Sequence, residues 1–218
     1  MMNIVLSYQP QHLPPPYAYA AVLEITISDE IEAQFSLEYL GRSEIPEDEL
    51  RAEGFSYDDR MNWEGTLHQN WKDDIVSFSR TQLKKQPDET YLHISVDGKD
   101  DGFPQDINAI DMLFQELMQA VLETAKVESP LVLKLQDESK SFEIAWHFSN
   151  RTIKIDHRIS NKWNNGRKLL KQAYQLDYDH MKYHKKAKPH TVNPGGDQWF
   201  LVEDHTTFNS LISSINTL

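Results

Sequence analysis

His180 and His184 stand four residues apart, with Asp177 and Asp179 just before them and His190 just after, the side-chain types that bind metal ions. On a helix this spacing stacks both imidazoles on one face, one turn apart, as two ligands of a zinc or nickel site require. With Asp177 as a third ligand, the cluster defines one reading of the chain, a metal-dependent hydrolase or transferase centred on this region. Two features of the same segment oppose it. Residue 181 is Met, where metalloprotease helices carry a glutamate, and Lys182, Lys185, Lys186 and Lys188 would repel a dication. The expectation is therefore a solvated, histidine-rich basic face with no cofactor.

A second set of oxygen ligands lies in Asp97-Gly98-Lys99-Asp100-Asp101-Gly102, where Asp97 and Asp101 would be the pair to hold a divalent cation. The run lacks the alternating ligands and distal glutamate of an EF-hand, so it reads as a polar strand-to-helix connection. The turn Asn161-Lys162-Trp163-Asn164-Asn165-Gly166-Arg167-Lys168 joins a strand to a helix and carries a glycine and cations, the composition of a phosphate-binding helix start. In this it resembles the pyrophosphate turn of acyl-CoA N-acyltransferases. Only Gly166 matches that family's glycine pattern, and no functional residue is carried over. Motifs for a P-loop, a nucleophile elbow or a dinucleotide fold are absent. With 34 acidic residues, no catalytic carboxylate pair stands out. The absence of cysteine excludes disulfides, thiolate nucleophiles and Cys-ligated metal sites.

Charge is the strongest signal. Of 22 basic residues, 11 fall between Arg151 and Lys188, a stretch with three acids, while the whole chain has a formal charge of −12. Arg167, Lys168 and Lys171, with aromatics Trp163, Tyr174, Tyr178 and Tyr183 interleaved, form the candidate surface for nucleic acid or phosphate. The acidity of the rest of the molecule opposes that partner, because phosphate is repelled over a Debye length of about 8 Å.

These residues need a scaffold, and periodicity supplies one. A strand over Asn3–Tyr8 leads through the proline-rich crossing 10–16 to a hairpin over 22–40, in which Leu23, Ile25 and Ile27, then Ile31, Ala33, Phe35, Leu37 and Tyr39, alternate with polar residues. Glu24, Glu32 and Glu38 lie on its polar face and are the candidate binding residues. A short helix is predicted over Ser43–Gly54, and a second through Leu67, Trp71, Ile75 and Phe78. Tyr91–Val96 is a strand, and Asp106 to about Lys126 a long amphipathic helix with Ile107, Ile110, Phe114, Leu117, Val121 and Ala125 on one face. A meander of three strands follows at Leu131–Leu135, Phe142–Phe148 and Ile153–Ile159. Then come a helix from Trp163 that ends between about Leu176 and His184, a loop over Pro189–Asp197, a strand at Trp199–Glu203 and a closing helix through Phe208, Leu211, Ile212 and Ile215.

The elements predict an α+β protein with mixed, largely antiparallel sheet or sheets and helices packed on one side. The chain reads as one domain over 1–218 in which a hairpin-helix-strand-helix pattern recurs, Tyr91–Asp97 matching Trp199–Asp204; two readings of it stand, a chance recurrence of alternating elements or a duplication into two similar halves, 1–128 and 129–218. The N-terminus lacks a basic n-region, and no run reaches the length of a membrane helix, so a cytoplasmic protein without membrane contact is expected. The functional expectation is a binding protein rather than an enzyme, presenting its acidic face to a basic protein partner. Immunity proteins neutralise secreted nucleases by the same physics, a likeness of charge alone.

Overall fold

The computed structural model describes every residue but Asp88, and Asp100 by its backbone alone. The chain forms two compact units, Met1–Val127 and Glu128–Leu218. In the first unit, seven strands form one antiparallel sheet: β1 (Met2–Gln9), β2 (Tyr19–Ile27), β3 (Ile31–Tyr39), β4 (Arg60–Leu67), β5 (Leu83–Lys84), β6 (Tyr91–Val96) and β7 (Asp100–Pro104), in the order β4-β3-β2-β1-β6-β7-β5. Successive side chains of a strand point to opposite faces. Ile4, Leu6, Leu23, Ile25, Ile31, Ala33, Phe35, Leu92 and Ile94 therefore share one buried face. Helix α1 (Glu47–Ala52) lies between β3 and β4, α2 (Lys72–Phe78) follows β4, and α3 (Ile107–Thr124) closes the unit. Asp106 caps α3 by accepting the Ala109 amide at 3.3 Å. The apolar stripe of α3, with Ile110, Leu113, Phe114, Leu117 and Val121, is buried, and Phe114 stacks on Tyr8 of β1 at 4.5 Å.

A buried arginine organises the connection between β3 and β4. Arg42, 3% exposed, donates to the carbonyls of Pro16 and Ser56, each at 2.9 Å, and pairs with Asp59 at 2.5 Å. Its guanidinium lies 3.6 Å from the Tyr39 ring centre and 4.7 Å from that of Phe55. A planar, five-donor group is suited to this combination of carbonyls, carboxylate and ring faces, and an ammonium is not.

The second unit repeats the strand order. Its strands are β8 (Leu131–Gln136), β9 (Ser141–His147), β10 (Thr152–Ile155), β11 (Arg158–Ser160), β12 (Tyr183–His184), β13 (Thr191–Asn193) and β14 (Trp199–Leu201), arranged β11-β10-β9-β8-β13-β14-β12. Helix α4 (Trp163–Tyr174) follows β11 as α2 follows β4, and α5 (His205–Asn216) closes this unit as α3 closes the first. Helix α4 packs on α5 and β10. Gly166 makes the approach to the sheet possible: a Cβ there would lie 3.0 Å from Trp146 Nε1 and would overlap the Ile153 side chain. The glycine of the predicted phosphate turn is thus a buried packing position inside a helix.

The α+β class, the antiparallel sheets and the helices on one side match the expectation from sequence. No helix among the described residues is long and apolar enough to cross a membrane. Several boundaries differ. Leu67 ends strand β4 rather than starting a helix, and Trp71 belongs to a 3-10 turn at Gln69–Trp71 that leads into α2. The polar run 97–102 is not one connection: residues 97–99 form a turn with left-handed Asp97 and Gly98, and Asp100 already begins β7, which pairs with β6. Ile153 and Ile159 sit on separate strands joined at Asp156-His157. Thr191–Asn193, expected as loop, is the buried strand β13 between β8 and β14. It occupies the place that β6 holds in the first sheet, so Tyr91–Val96 corresponds by position to β13 and not to the strand at Trp199.

Two substitutions test these contacts. Arg42→Ala is expected to cost about 3 kcal/mol, and Arg42→Lys to recover only part of it, in denaturant unfolding of the full chain. Gly166→Ala is expected to destabilise by about 1 kcal/mol after the gain in helix propensity, and adding Ile153→Val to lessen the penalty in a double-mutant cycle.

Candidate functional site

The outer face of the first sheet carries the acidic residues that sequence alternation places there, and pairing fixes their neighbours. Across β2, β3 and β4 the register sets Glu24 opposite Gln34 and Gln34 opposite Glu64; one step along, Thr26 lies opposite Glu32 and Glu32 opposite Thr66. Carboxylates thus alternate with neutral polar side chains and never face one another directly, which avoids the penalty of like charges in a cross-strand pair. Glu24 and Glu64 are two strands apart, about 10 Å, with Glu32 diagonal to both. All three are exposed. None of the three carboxylates makes a hydrogen bond or ion pair with a described residue.

Two adjoining shallow hollows of about 360 and 350 Å³ open on this face, and Glu24, Gln34 and Glu64 line both. Glu30 and Glu32 line the second. No lysine or arginine lines either hollow. Carboxylates about one Debye length apart act on an approaching cation together. The first unit as a whole holds 24 acidic residues against 9 basic ones, a formal −15, while the second holds 10 against 13, a formal +3.

Of the three acidic residues picked from the sequence, the structure brings Glu24 and Glu32 together. Glu38 stands three outward positions beyond Glu32, about 20 Å away, opposite Arg60. Glu64 was missed because residues 60–67 were not read as a strand. The alternation of Met61, Trp63 and Leu67 with Arg60, Asn62, Glu64 and Thr66 is the signal that would have found it.

The histidines are placed differently from the helical expectation. Helix α4 stops at Tyr174, His180 lies in a 3-10 turn (Tyr178–His180), and His184 lies on β12 opposite Trp199, so the two share no helix face. His180 Nδ1 is 2.9 Å from Asp177, which leaves that pair exposed at the surface. Among the described residues, no group of three or more His, Asp or Glu side chains is gathered to hold a metal ion. Asp97 accepts the Asn3 amide at 2.8 Å, and Asp101 lies 3.2 Å from His93, so the two carboxylates have separate partners.

On α4, Lys168 and Lys171 are exposed on one stripe, and Arg167 is half-buried. Two of the four interleaved aromatics are committed to the fold. Trp163 is buried against Phe148 at 5.0 Å, and Tyr178 donates to the Ala173 carbonyl and packs on Phe200. Burial, with Tyr174 nearby, pushes the Tyr178 phenol up to about 12. Tyr174 and Tyr183 are exposed. Lys182 is paired with Glu203 at 2.7 Å, which lowers the Glu203 carboxyl and raises the lysine.

No family model, curated protein or solved structure matches this chain.

The His180 imidazole is raised above its ordinary 6.5 by the hydrogen bond to Asp177 and then by that carboxylate's charge. The contact is therefore complete below the ordinary value and is lost as pH rises through the higher folded value. Asp177→Asn is expected to return the His180 titration toward 6.5, measured by NMR of the ring nitrogens.

Proposed function

We propose that the first unit is a docking module for a basic protein, received on the outer face of β4-β3-β2. The observation that carries this reading is the lattice of Glu24, Glu32 and Glu64, exposed, with no described cation paired to their carboxylates, and staggered so that no carboxylate directly opposes another. Such an arrangement keeps its full field for a partner. Clustered charge of one sign speeds association with an oppositely charged surface and disfavours like-charged competitors. The neutral residues between the carboxylates, Gln34, Thr26 and Thr66, offer both donors and acceptors to the partner's polar groups. The mode of action is occlusion or neutralisation of a basic surface, with no chemical step assigned to this chain.

Affinity capture with the full chain as bait, compared with Glu24→Lys/Glu32→Lys/Glu64→Lys, tests the reading. The unmodified bait is expected to retain basic proteins that elute as salt rises toward 1 M, where the screening length falls to about 3 Å. The triple variant is expected to lose them, with association slowed at least about tenfold. A partner held equally by both baits would refute the role of this face.

A further inference from the structure

We infer that the partner engages the first unit by adding an extended cationic segment as a further strand along the open edge of β4. The charge of this occupant rests on the acidic-face reading; the edge is established separately, from backbone hydrogen bonding.

Strand β4 ends its sheet, and its other neighbour is absent from the pairing order. Among the described residues the four sheet edges are β4 with eight residues, β5 with two, β11 with three and β12 with two. Natural sheets protect edges by shortening them, by proline, by bulges or by lysine. Three of these edges are short. The β4 edge is long, holds no proline or lysine, and pairs with β3 in unbroken register from Ile31↔Leu67 to Glu38↔Arg60.

The direction of its free backbone groups follows from the hairpin beside it. The Leu40 amide donates to the Ala18 carbonyl at 2.7 Å, and the Ser28 amide to the Glu30 carbonyl at 2.9 Å. Both continue the series in which even-numbered residues exchange hydrogen bonds across β2 and β3. In an antiparallel ladder the bonded pairs alternate, so the odd-numbered residues of β3 bond to β4. Their partners are Met61, Trp63, Gly65 and Leu67. The amides and carbonyls of Asn62, Glu64 and Thr66 then point away from the sheet, and none of them bonds to another part of the described backbone. The side chains of these three residues lie on the acidic outer face and are exposed.

An added strand would thus meet free backbone groups along a length of about 25 Å. Alternate side chains of that strand would lie beside Asn62, Glu64 and Thr66, where a lysine or arginine reaches Glu64 and approaches Glu32. The intervening side chains would meet the half-buried Met61 and Trp63, whose ring lies over Gly65, 2.5 Å from where a Cβ would sit. The complementary segment alternates cations with apolar residues. Main-chain bonds would give it affinity, and alternate side chains specificity. A second copy of this chain fits less well, because pairing two β4 edges would bring two units of formal charge −15 together.

The test uses the full chain and an alternating lysine–valine peptide of about twelve residues, long enough to span β4. In the free protein, amide hydrogen exchange by NMR is expected to be at least about 100-fold faster at Asn62, Glu64 and Thr66 than at Trp63 and Gly65; equal protection of both sets would overturn the open edge. The peptide at low ionic strength is expected to slow the three fast amides. Asn62→Pro/Thr66→Pro, which removes outward donors and no charge, is expected to weaken binding about tenfold or more. The same peptide N-methylated at alternate residues is expected to bind as weakly to the unmodified protein, a comparison independent of how the proline variant folds. Binding that survives both blocks but is lost in Glu24→Lys/Glu32→Lys would overturn the strand addition and leave the acidic face standing. Binding lost on blocking the edge but unchanged by that charge reversal would instead overturn the acidic-face reading, and the cationic occupant with it. Protection of the same amides by self-association, without peptide, would overturn the cationic occupant in favour of a second copy.

Discussion

An antiparallel sheet with one apolar face must bury that face, and nearly every other feature of the molecule follows from how each unit does so. Ile4, Leu6, Leu23, Ile25 and Phe35 present a continuous apolar surface that one amphipathic helix, α3, can cover. Once the helices occupy that side, the opposite face is left to polar side chains. Burial on one side thus makes the acidic lattice on the other possible, because each carboxylate stands on a strand whose alternate residues are fixed in the core.

The same strand order serves two units of different charge. In both, a four-stranded meander is followed by a helix, a two-residue strand, a hairpin and a closing helix. Their cores follow one logic and their outer faces do not. Where the first sheet sets Glu24 and Glu64 beside neutral Gln34, the second pairs Lys134 with Glu143 across β8 and β9 at 3.1 Å. Charge on an outer face is free to vary because it contributes little to the core, which is why topology and charge diverge here.

Legibility in the sequence tracked the amount of repeating pattern. The β2–β3 hairpin and α3 are long, and their alternation or helical periodicity runs for many residues, so their boundaries were readable. Strand β13 has three residues, all buried, which erases the contrast between faces. Strand β7 is built from Asp100-Asp101-Gly102-Phe103-Pro104, a composition that reads as loop and becomes strand only because β6 offers a ladder. The histidine pair failed for a related reason: spacing of four implies a shared face only on a helix, and the chain leaves α4 at Tyr174 before reaching His180.

By itself the sequence determined the α+β class, the major amphipathic elements, the acidity of the hairpin's polar face and the concentration of cations between Arg151 and Lys188, because composition and local period are properties of consecutive residues. Only the tertiary structure decided that Glu64 joins Glu24 and Glu32 while Glu38 stands apart, that Gly166 is a packing contact, and that β4 is an open edge with Asn62, Glu64 and Thr66 turned outward. Those facts depend on which strand lies beside which and in what register. Register is set by long-range pairing, and a chain read one residue after another does not contain it.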